Sequence, residues 1–113
     1  GYYNSPTLNI KNSASNQVIS SKTCAVLRNY MKNVVENGTG FNAQYKSQTA
    51  GKTATAQSGI YVEGKEQLNT WFVGFYPYDN PKYSIVVMRE GGKSGAGDCC
   101  PVFRTIVEKI DNM

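Results

Sequence analysis

The chain has 113 residues, with 12 Lys and Arg against 8 Asp and Glu, a net charge of +4, three cysteines and no histidine. This length limits it to one domain with a single modest core. The composition excludes a Ser-His-Asp triad, a Cys-His pair, a histidine-ligated zinc and a four-thiolate metal site. Because the charge is small and dispersed, without a basic stripe, we expect no nucleic-acid partner.

The first predicted element is a strand pair that follows an opening loop at Gly1–Ser5. Thr7–Lys11 and Gln17–Ile19 alternate or cluster apolar residues on either side of the polar run 12–16. Two short apolar runs around a polar turn are typical of a β-hairpin. The sequence therefore predicts an N-terminal hairpin.

An amphipathic helix is predicted over residues 21–36. Its apolar residues repeat at spacings of three and four, which places them on one face. They are Cys24, Leu27, Met31, Val34 and Val35. Ser20 or Ser21 can accept the orphan N–H bonds at the helix start. The run Asn37-Gly38-Thr39-Gly40 ends the helix, with Gly38 predicted as a left-handed C-cap.

Three antiparallel strands are predicted next, over Gln48–Gln57, Asn69–Tyr76 and Lys82–Glu90. The composition of Pro77–Pro81 predicts a tight turn between the last two strands. The last strand is nearly continuously apolar over residues 83–88, which is typical of a strand covered on both faces. These strands form a meander.

The chain closes with a glycine-rich segment and a helix. Gly91–Gly97 lacks the spacing of a phosphate-binding loop and is predicted to be a flexible connection. Cys100–Asp111 is predicted as a helix, and the three cysteines as small buried hydrophobes rather than a disulfide framework. The fold class is therefore α+β, an antiparallel sheet (three-stranded meander plus N-terminal strand pair) packed with two helices.

The candidate binding strand is Ala50–Gln57, which combines a lysine and two threonines with small residues. Strand alternation separates Lys52 and Ala54 from Thr53 and Thr55. A lysine supplies a positive field, threonine hydroxyls can hold a carboxylate, and an exposed strand edge can pair with an extended peptide. The pattern indicates binding of a peptide that ends in a carboxylate, and the alternative is an ordinary threonine-rich surface strand.

This strand resembles a motif of the penicillin-binding proteins, specifically the transpeptidase domain of the class B, monofunctional enzymes. Lys52-Thr53-Ala54-Thr55-Ala56-Gln57 is similar to the family's K-T-G-T-A-Q sequence. Further similar blocks follow the family's order across residues 6–110. They are the helix end and G-T-G turn at Val34–Gly40, the aromatic strand at Asn69–Pro77, the last strand at Ser84–Met88 and the P-V-F helix start at Pro101–Phe103.

The resemblance implies the activity of a peptidoglycan D,D-transpeptidase, a β-lactam target that cross-links cell walls through an acyl-serine intermediate. It implies that Lys52 adds positive potential and helps proton transfer, and that Thr53 and Thr55 hold the carboxylate of a stem peptide or β-lactam. The Thr55 backbone N–H helps bind the oxyanion, and Ala54 belongs to the same substrate-binding strand. No metal or organic cofactor is implied.

Two features depart from the family. Ala54 stands where the motif has glycine, and the sequence contains neither Ser-x-x-Lys nor Ser-x-Asn. We therefore expect residues 1–113 to be the C-terminal portion of a single transpeptidase domain, inactive without the upstream part that bears the nucleophile. The resemblance also implies an upstream membrane anchor and a place on the extracytoplasmic face of the bacterial cell membrane.

Two other functions remain open at this point. A non-catalytic member of the same fold, serving as a β-lactam sensor or a scaffold, is favoured by Ala54 alone. An unrelated extracellular adhesion module would account for the eight tyrosines and the many threonines. The presence of the serine motifs in the upstream sequence would distinguish an active enzyme from the non-catalytic member. Labelling of the parent by a β-lactam would exclude the adhesion module.

Overall fold

The computed structural model describes residues 15–113 as an antiparallel sheet packed with helices. The elements in chain order are α1 (Ser21–Asn37), β1 (Ala50–Val62), β2 (Lys65–Tyr76), β3 (Tyr83–Gly92), α2 (Gly95–Asp98) and α3 (Cys100–Asp111). The strands lie in the order β1-β2-β3. This arrangement confirms the α+β class and the meander. No helix in the described part of the chain is long and apolar enough to cross a membrane.

The predicted N-terminal hairpin is wrong in its second strand. Gln17–Ile19 is irregular backbone that leads into α1, and Val18 is 89% exposed. Three exposed residues that pair with no strand in the described part of the chain gain too little to stay extended in a sheet. The predicted first strand, Thr7–Lys11, and the opening loop Gly1–Ser5 lie outside the described residues.

Helix α1 begins where the sequence predicts. The Ser20 hydroxyl accepts a hydrogen bond from the Thr23 backbone N–H at 3.1 Å, which satisfies one orphan donor of the first turn. The predicted apolar face is only partly buried, since Val35 is buried whereas Leu27 is 46% exposed. The covered part of this face therefore lies near the C-terminal end of the helix.

Gly38 ends α1 without the predicted left-handed conformation. Its φ is −128°, and its backbone N–H donates to the Val34 carbonyl at 3.0 Å. A Cβ at position 38 would lie 3.0 Å from that same oxygen. Close approach of the backbone, rather than positive φ, therefore explains the glycine.

The hairpin of β1 and β2 is longer than the sequence predicts. The predicted strands stop at Gln57 and resume at Asn69, whereas the observed pair closes at a Glu63-Gly64 turn in which both residues have positive φ. Such a turn matches the natural twist of a hairpin. The added part carries exposed side chains, with Tyr61 67% exposed, so it has no buried face and gave no clear alternation.

Strand β3 is covered on one face instead of the predicted two. Val87 lies opposite the buried Phe72, whereas Val86 and Met88 point to the other face and are 58% and 43% exposed. The nearly continuous apolar run therefore supplies a second apolar face that residues 15–113 leave open.

The predicted flexible connection at Gly91–Gly97 is also wrong. Gly91 and Gly92 complete β3, and the helical turn α2 begins at Gly95. The Ser94 hydroxyl caps α2 by accepting a hydrogen bond from the Gly97 N–H at 3.0 Å. The Ser94 cap and the acidic residue Asp98 stabilise this four-residue turn despite its glycine-rich composition.

The core lies between the inner face of the sheet and α3. The rings of Phe72 and Phe103 meet edge to face, with centroids 4.7 Å apart. Two paired glycines, Gly51 and Gly74, make room for them, because a Cβ at Gly51 would lie 2.3 Å from the Phe72 ring and one at Gly74 would lie 2.9 Å from the Phe103 ring. The predicted helix Cys100–Asp111 is confirmed at both ends.

The cysteines follow the prediction in part. Cys99 and Cys100 are buried and Cys24 is half-buried, and all three are free thiols. Burial raises the pKa of the Cys100 thiol to about 11, with a smaller effect from Cys99 beside it. These two adjacent cysteines therefore act as small apolar core residues.

Candidate functional site

The predicted binding strand is the edge strand β1. One side of β1 pairs with β2, and no other strand pairs with it among residues 15–113. The register confirms the predicted separation of the site residues onto two faces. The cross-strand partners are Val73 for Lys52, Phe72 for Thr53, Trp71 for Ala54 and Thr70 for Thr55.

The open face of the strand carries the lysine. The side chains of Lys52 and Ala54 are exposed, and the Lys52 ammonium donates a hydrogen bond to the Thr53 carbonyl at 2.8 Å. The positive charge is thereby held beside the backbone of the strand. The Ala54 methyl lies on this open face opposite Trp71, so the replacement of the motif glycine meets no steric conflict among the described residues.

The other face of the strand is supported from behind. The Thr53 side chain is half-buried, and its hydroxyl oxygen lies 2.8 Å from that of Thr39, in the turn after α1. Gly95 of α2 packs against the same residue, because a Cβ there would lie 3.2 Å from the Thr53 Cβ and 2.4 Å from the Trp71 carbonyl. Thr53 therefore lies between two fixed segments, neither of which sequence reasoning had assigned to the site.

Asp98 holds α2 in this position. One carboxylate oxygen accepts hydrogen bonds from the backbone N–H groups of Lys93 at 2.6 Å and Ser94 at 2.9 Å, and from the Thr70 hydroxyl at 3.2 Å. The Arg89 guanidinium is 3.6 Å from the other oxygen. The backbone donors of Ser94 and then Lys93 hold the pKa of Asp98 below its usual value. The spacing of Ser94 and Asp98 at a helix start was the signal available in the sequence.

The side chains of the described site suit the binding of a ligand. An ammonium, two threonine hydroxyls and an unpaired strand edge suit an extended ligand with a carboxylate. Within residues 15–113 no three His, Cys, Asp or Glu residues lie close enough together to hold a metal ion.

Comparison with known proteins identifies the family. The penicillin-binding protein transpeptidase domain matches residues 1–108. A peptidoglycan D,D-transpeptidase, FtsI of Buchnera aphidicola, is 35% identical over 111 residues, which cover 90% of this chain and 19% of that protein. Stage V sporulation protein D of Bacillus subtilis is 37% identical over 84 residues, covering 71% of this chain and 13% of that protein.

Solved structures with the same fold are similar at 30% sequence identity. The transpeptidase domain of FtsI4 from Legionella pneumophila superposes with a TM-score of 0.68, covering 81% of this chain and 36% of that one. The D,D-transpeptidase domain of a peptidoglycan glycosyltransferase from Eggerthella lenta gives 0.64, covering 96% and 26%. The chain spans less than a fifth of the curated relatives above. It belongs to the penicillin-binding protein transpeptidase family.

Proposed function

We propose that residues 1–113 are the C-terminal portion of a single transpeptidase domain in a peptidoglycan D,D-transpeptidase. The observation that carries this proposal is the edge strand that holds Lys52, Thr53 and Thr55, whose outer backbone edge pairs with no strand among residues 15–113. The names of the matched relatives and their greater length support it. The nucleophilic serine and its lysine base belong to the remainder of the domain.

The strand binds the stem peptide of peptidoglycan by its terminal carboxylate. Thr53 and Thr55 donate hydrogen bonds to the carboxylate, and the Lys52 ammonium adds positive potential and assists proton transfer. The serine attacks the penultimate D-Ala carbonyl and the terminal D-Ala leaves. An amine from a neighbouring peptidoglycan strand then takes the acyl group. The Thr55 backbone N–H stabilises the oxyanion, and one such donor contributes about 3 kcal/mol.

A β-lactam reacts in place of the stem peptide. Its carboxylate accepts hydrogen bonds from the same threonine hydroxyls. The same serine attacks the β-lactam carbonyl, and the ring opens to give an acyl-enzyme. Neither reaction in this scheme uses a metal or an organic cofactor. The ligands of the site are therefore peptidoglycan stem peptides and β-lactams.

The remainder of the domain is the partner of this chain. The outer face of the sheet exposes Val73, Val86 and Met88 around the half-buried Trp71, and covering it removes apolar surface from water. The parent protein works on the extracytoplasmic face of the bacterial cell membrane and is held there by an anchor upstream of this chain. This location follows from the cell-wall substrate.

Labelled penicillin tests the proposed function on the parent protein. We expect a stoichiometric covalent label that peptide mapping locates on a serine outside residues 1–113. Lys52→Ala is expected to slow labelling by about a hundredfold or more because the positive field is lost. Lys65→Ala, on the exposed hairpin, is the matched control and is expected to label at the wild-type rate. A label attached within residues 1–113, or an unlabelled parent, would contradict the proposal.

The second candidate is a non-catalytic β-lactam sensor or scaffold, favoured by Ala54 in the motif. Such a protein would take up the label but release no D-Ala from a stem-peptide substrate. Release of D-Ala by the parent, measured with and without an acceptor amine, therefore separates the two functions. We expect release, because the Ala54 methyl lies on the exposed face and blocks nothing among the described residues.

A further inference from the structure

Thr39 lies against the carboxylate-binding strand without belonging to it. Its hydroxyl oxygen is 2.8 Å from that of Thr53, 14 positions along the chain, and either atom can be the donor. The turn that carries Thr39 is fixed on both sides, since the backbone N–H groups of Gly38 and Gly40 both donate to the Val34 carbonyl at 3.0 Å. Thr39 is therefore held in place from the backbone, independently of any ligand.

The number of protons on the two hydroxyls decides which threonine donates the hydrogen bond once a ligand is bound. A threonine hydroxyl has one proton to donate and lone pairs to accept. When Thr53 gives its proton to a carboxylate, it cannot also donate to Thr39. The bond between the two threonines persists only if Thr39 is the donor and the Thr53 oxygen the acceptor.

We propose that Thr39 is a positioning residue for carboxylate recognition. It holds the Thr53 side chain in one rotamer and donates a hydrogen bond to the Thr53 oxygen, which orients the Thr53 proton toward the ligand. A hydroxyl that accepts one bond while donating another is polarised, so its bond to the carboxylate is strengthened. This role rests on the proposed function, because it acts through the ligand that Thr53 binds.

Neighbouring contacts agree with a rigid support. Gly95 limits movement of Thr53 on one side, and Asn42, just after the Thr39 turn, donates to the Ala96 carbonyl of α2 at 3.3 Å. The turn after α1 and the turn before α3 are thereby joined behind the binding strand. The hydroxyl contact with Thr39 and the packing of α2 favour one position of the Thr53 side chain.

The test is the acylation of the parent protein by labelled penicillin, measured over a range of concentrations. Thr39→Val keeps the shape and removes the hydroxyl, and Thr39→Ser keeps the hydroxyl. We expect Thr39→Val to lower the second-order acylation rate about tenfold, mainly by weakening the initial binding, and Thr39→Ser to stay within about twofold of wild type. Thr105→Val, on the exposed side of α3, is the matched control and is expected to have no effect.

A double-mutant cycle with Thr53→Val decides whether Thr39 acts through Thr53. We expect Thr39→Val to cause no further loss in the Thr53→Val background. An equal tenfold loss in that background would overturn the positioning role, and so would an unchanged rate in the single variant. A wild-type parent without label would overturn the proposed function and this role together, whereas a labelled wild type with an insensitive Thr39 overturns this role alone.

Discussion

The two faces of the sheet differ in what covers them, although the same three strands form both. The inner face places Phe72 against α3 with no exposed surface, and Thr53 beside Thr39 and α2. The outer face exposes Lys52, Val86 and Met88 to solvent in the described residues. One strand thus has its support on one side and its charged group on the other.

The largest expected effect comes from the covered face. Phe72→Ala removes a fully buried ring that packs on Phe103, and we expect a loss of about 3–5 kcal/mol in the free energy of unfolding. Val86→Ala, on the outer face, is expected to cost well under 1 kcal/mol. Urea unfolding of the 113-residue chain carrying each substitution measures the difference in the free energy of unfolding. Comparable losses would mean that the outer face is covered in solution.

Gly95→Ala tests the contact between α2 and the binding strand. The added Cβ would meet the Trp71 carbonyl at 2.4 Å, which backbone atoms relieve only by moving apart. We expect a loss of about 1–3 kcal/mol, together with slower penicillin labelling of the parent, because Thr53 shifts with the strand. Gly97→Ala meets only the Ser94 hydroxyl, at 3.1 Å, and is the milder control. A stable Gly95→Ala protein with normal labelling would contradict the contact.

Acid is expected to weaken the end of α3 on the covered face. Hydrogen bonds from Lys46, then Tyr76 and Tyr45, lower the pKa of Asp111 to about 2 from 3.8. Since the folded-state pKa is the lower one, the stabilisation is complete above pH 4 and is lost as the pH falls toward 2. Asp111→Asn should therefore cost stability at pH 7 and little at pH 2, as measured by urea midpoints. A cost that does not change with pH would contradict the assignment.

Substitutions on the open face are expected to have the smallest effect on stability and to change the self-association of the chain instead. Val86→Ser together with Met88→Ser removes exposed apolar surface without touching the core. We expect the 113-residue chain to self-associate in sedimentation, and the double variant to do so less. A monomeric wild-type chain would mean that this face needs no cover.

The sequence predicted the elements whose apolar pattern corresponds to a buried face. The helix at Cys100–Asp111 and the faces of Lys52 and Thr53 followed from spacing alone. The hairpin extension to Val62 and the short α2 were missed, because neither has a buried apolar repeat. Their structures depend on turn geometry and on single polar contacts, and spacing rules do not record those.

The sequence selected the candidate residues of the site but not the residues that support them. Lys52, Thr53 and Thr55 lie next to one another along the strand, so a local motif was enough to select them. Thr39 and Asp98 contact residues that are distant in the sequence, Thr39 through the Thr53 hydroxyl and Asp98 through the Thr70 hydroxyl. Long-range contacts of this kind leave no pattern in the sequence, although the Ser94–Asp98 spacing marks the helix start, and they became visible only with the strand register and the position of α2.

The paired glycines behind the binding strand couple its sequence to that of the core. Gly51 comes directly before Lys52, and its missing side chain is filled by the Phe72 ring. A methyl group at position 51 would lie 2.3 Å from the Phe72 ring and 2.6 Å from the Val73 carbonyl oxygen, so a smaller residue at position 72 does not by itself make room for it. Position 54, in contrast, already holds a methyl group on the exposed face. Relatives of this protein are therefore expected to vary at position 54 and to keep glycine at position 51.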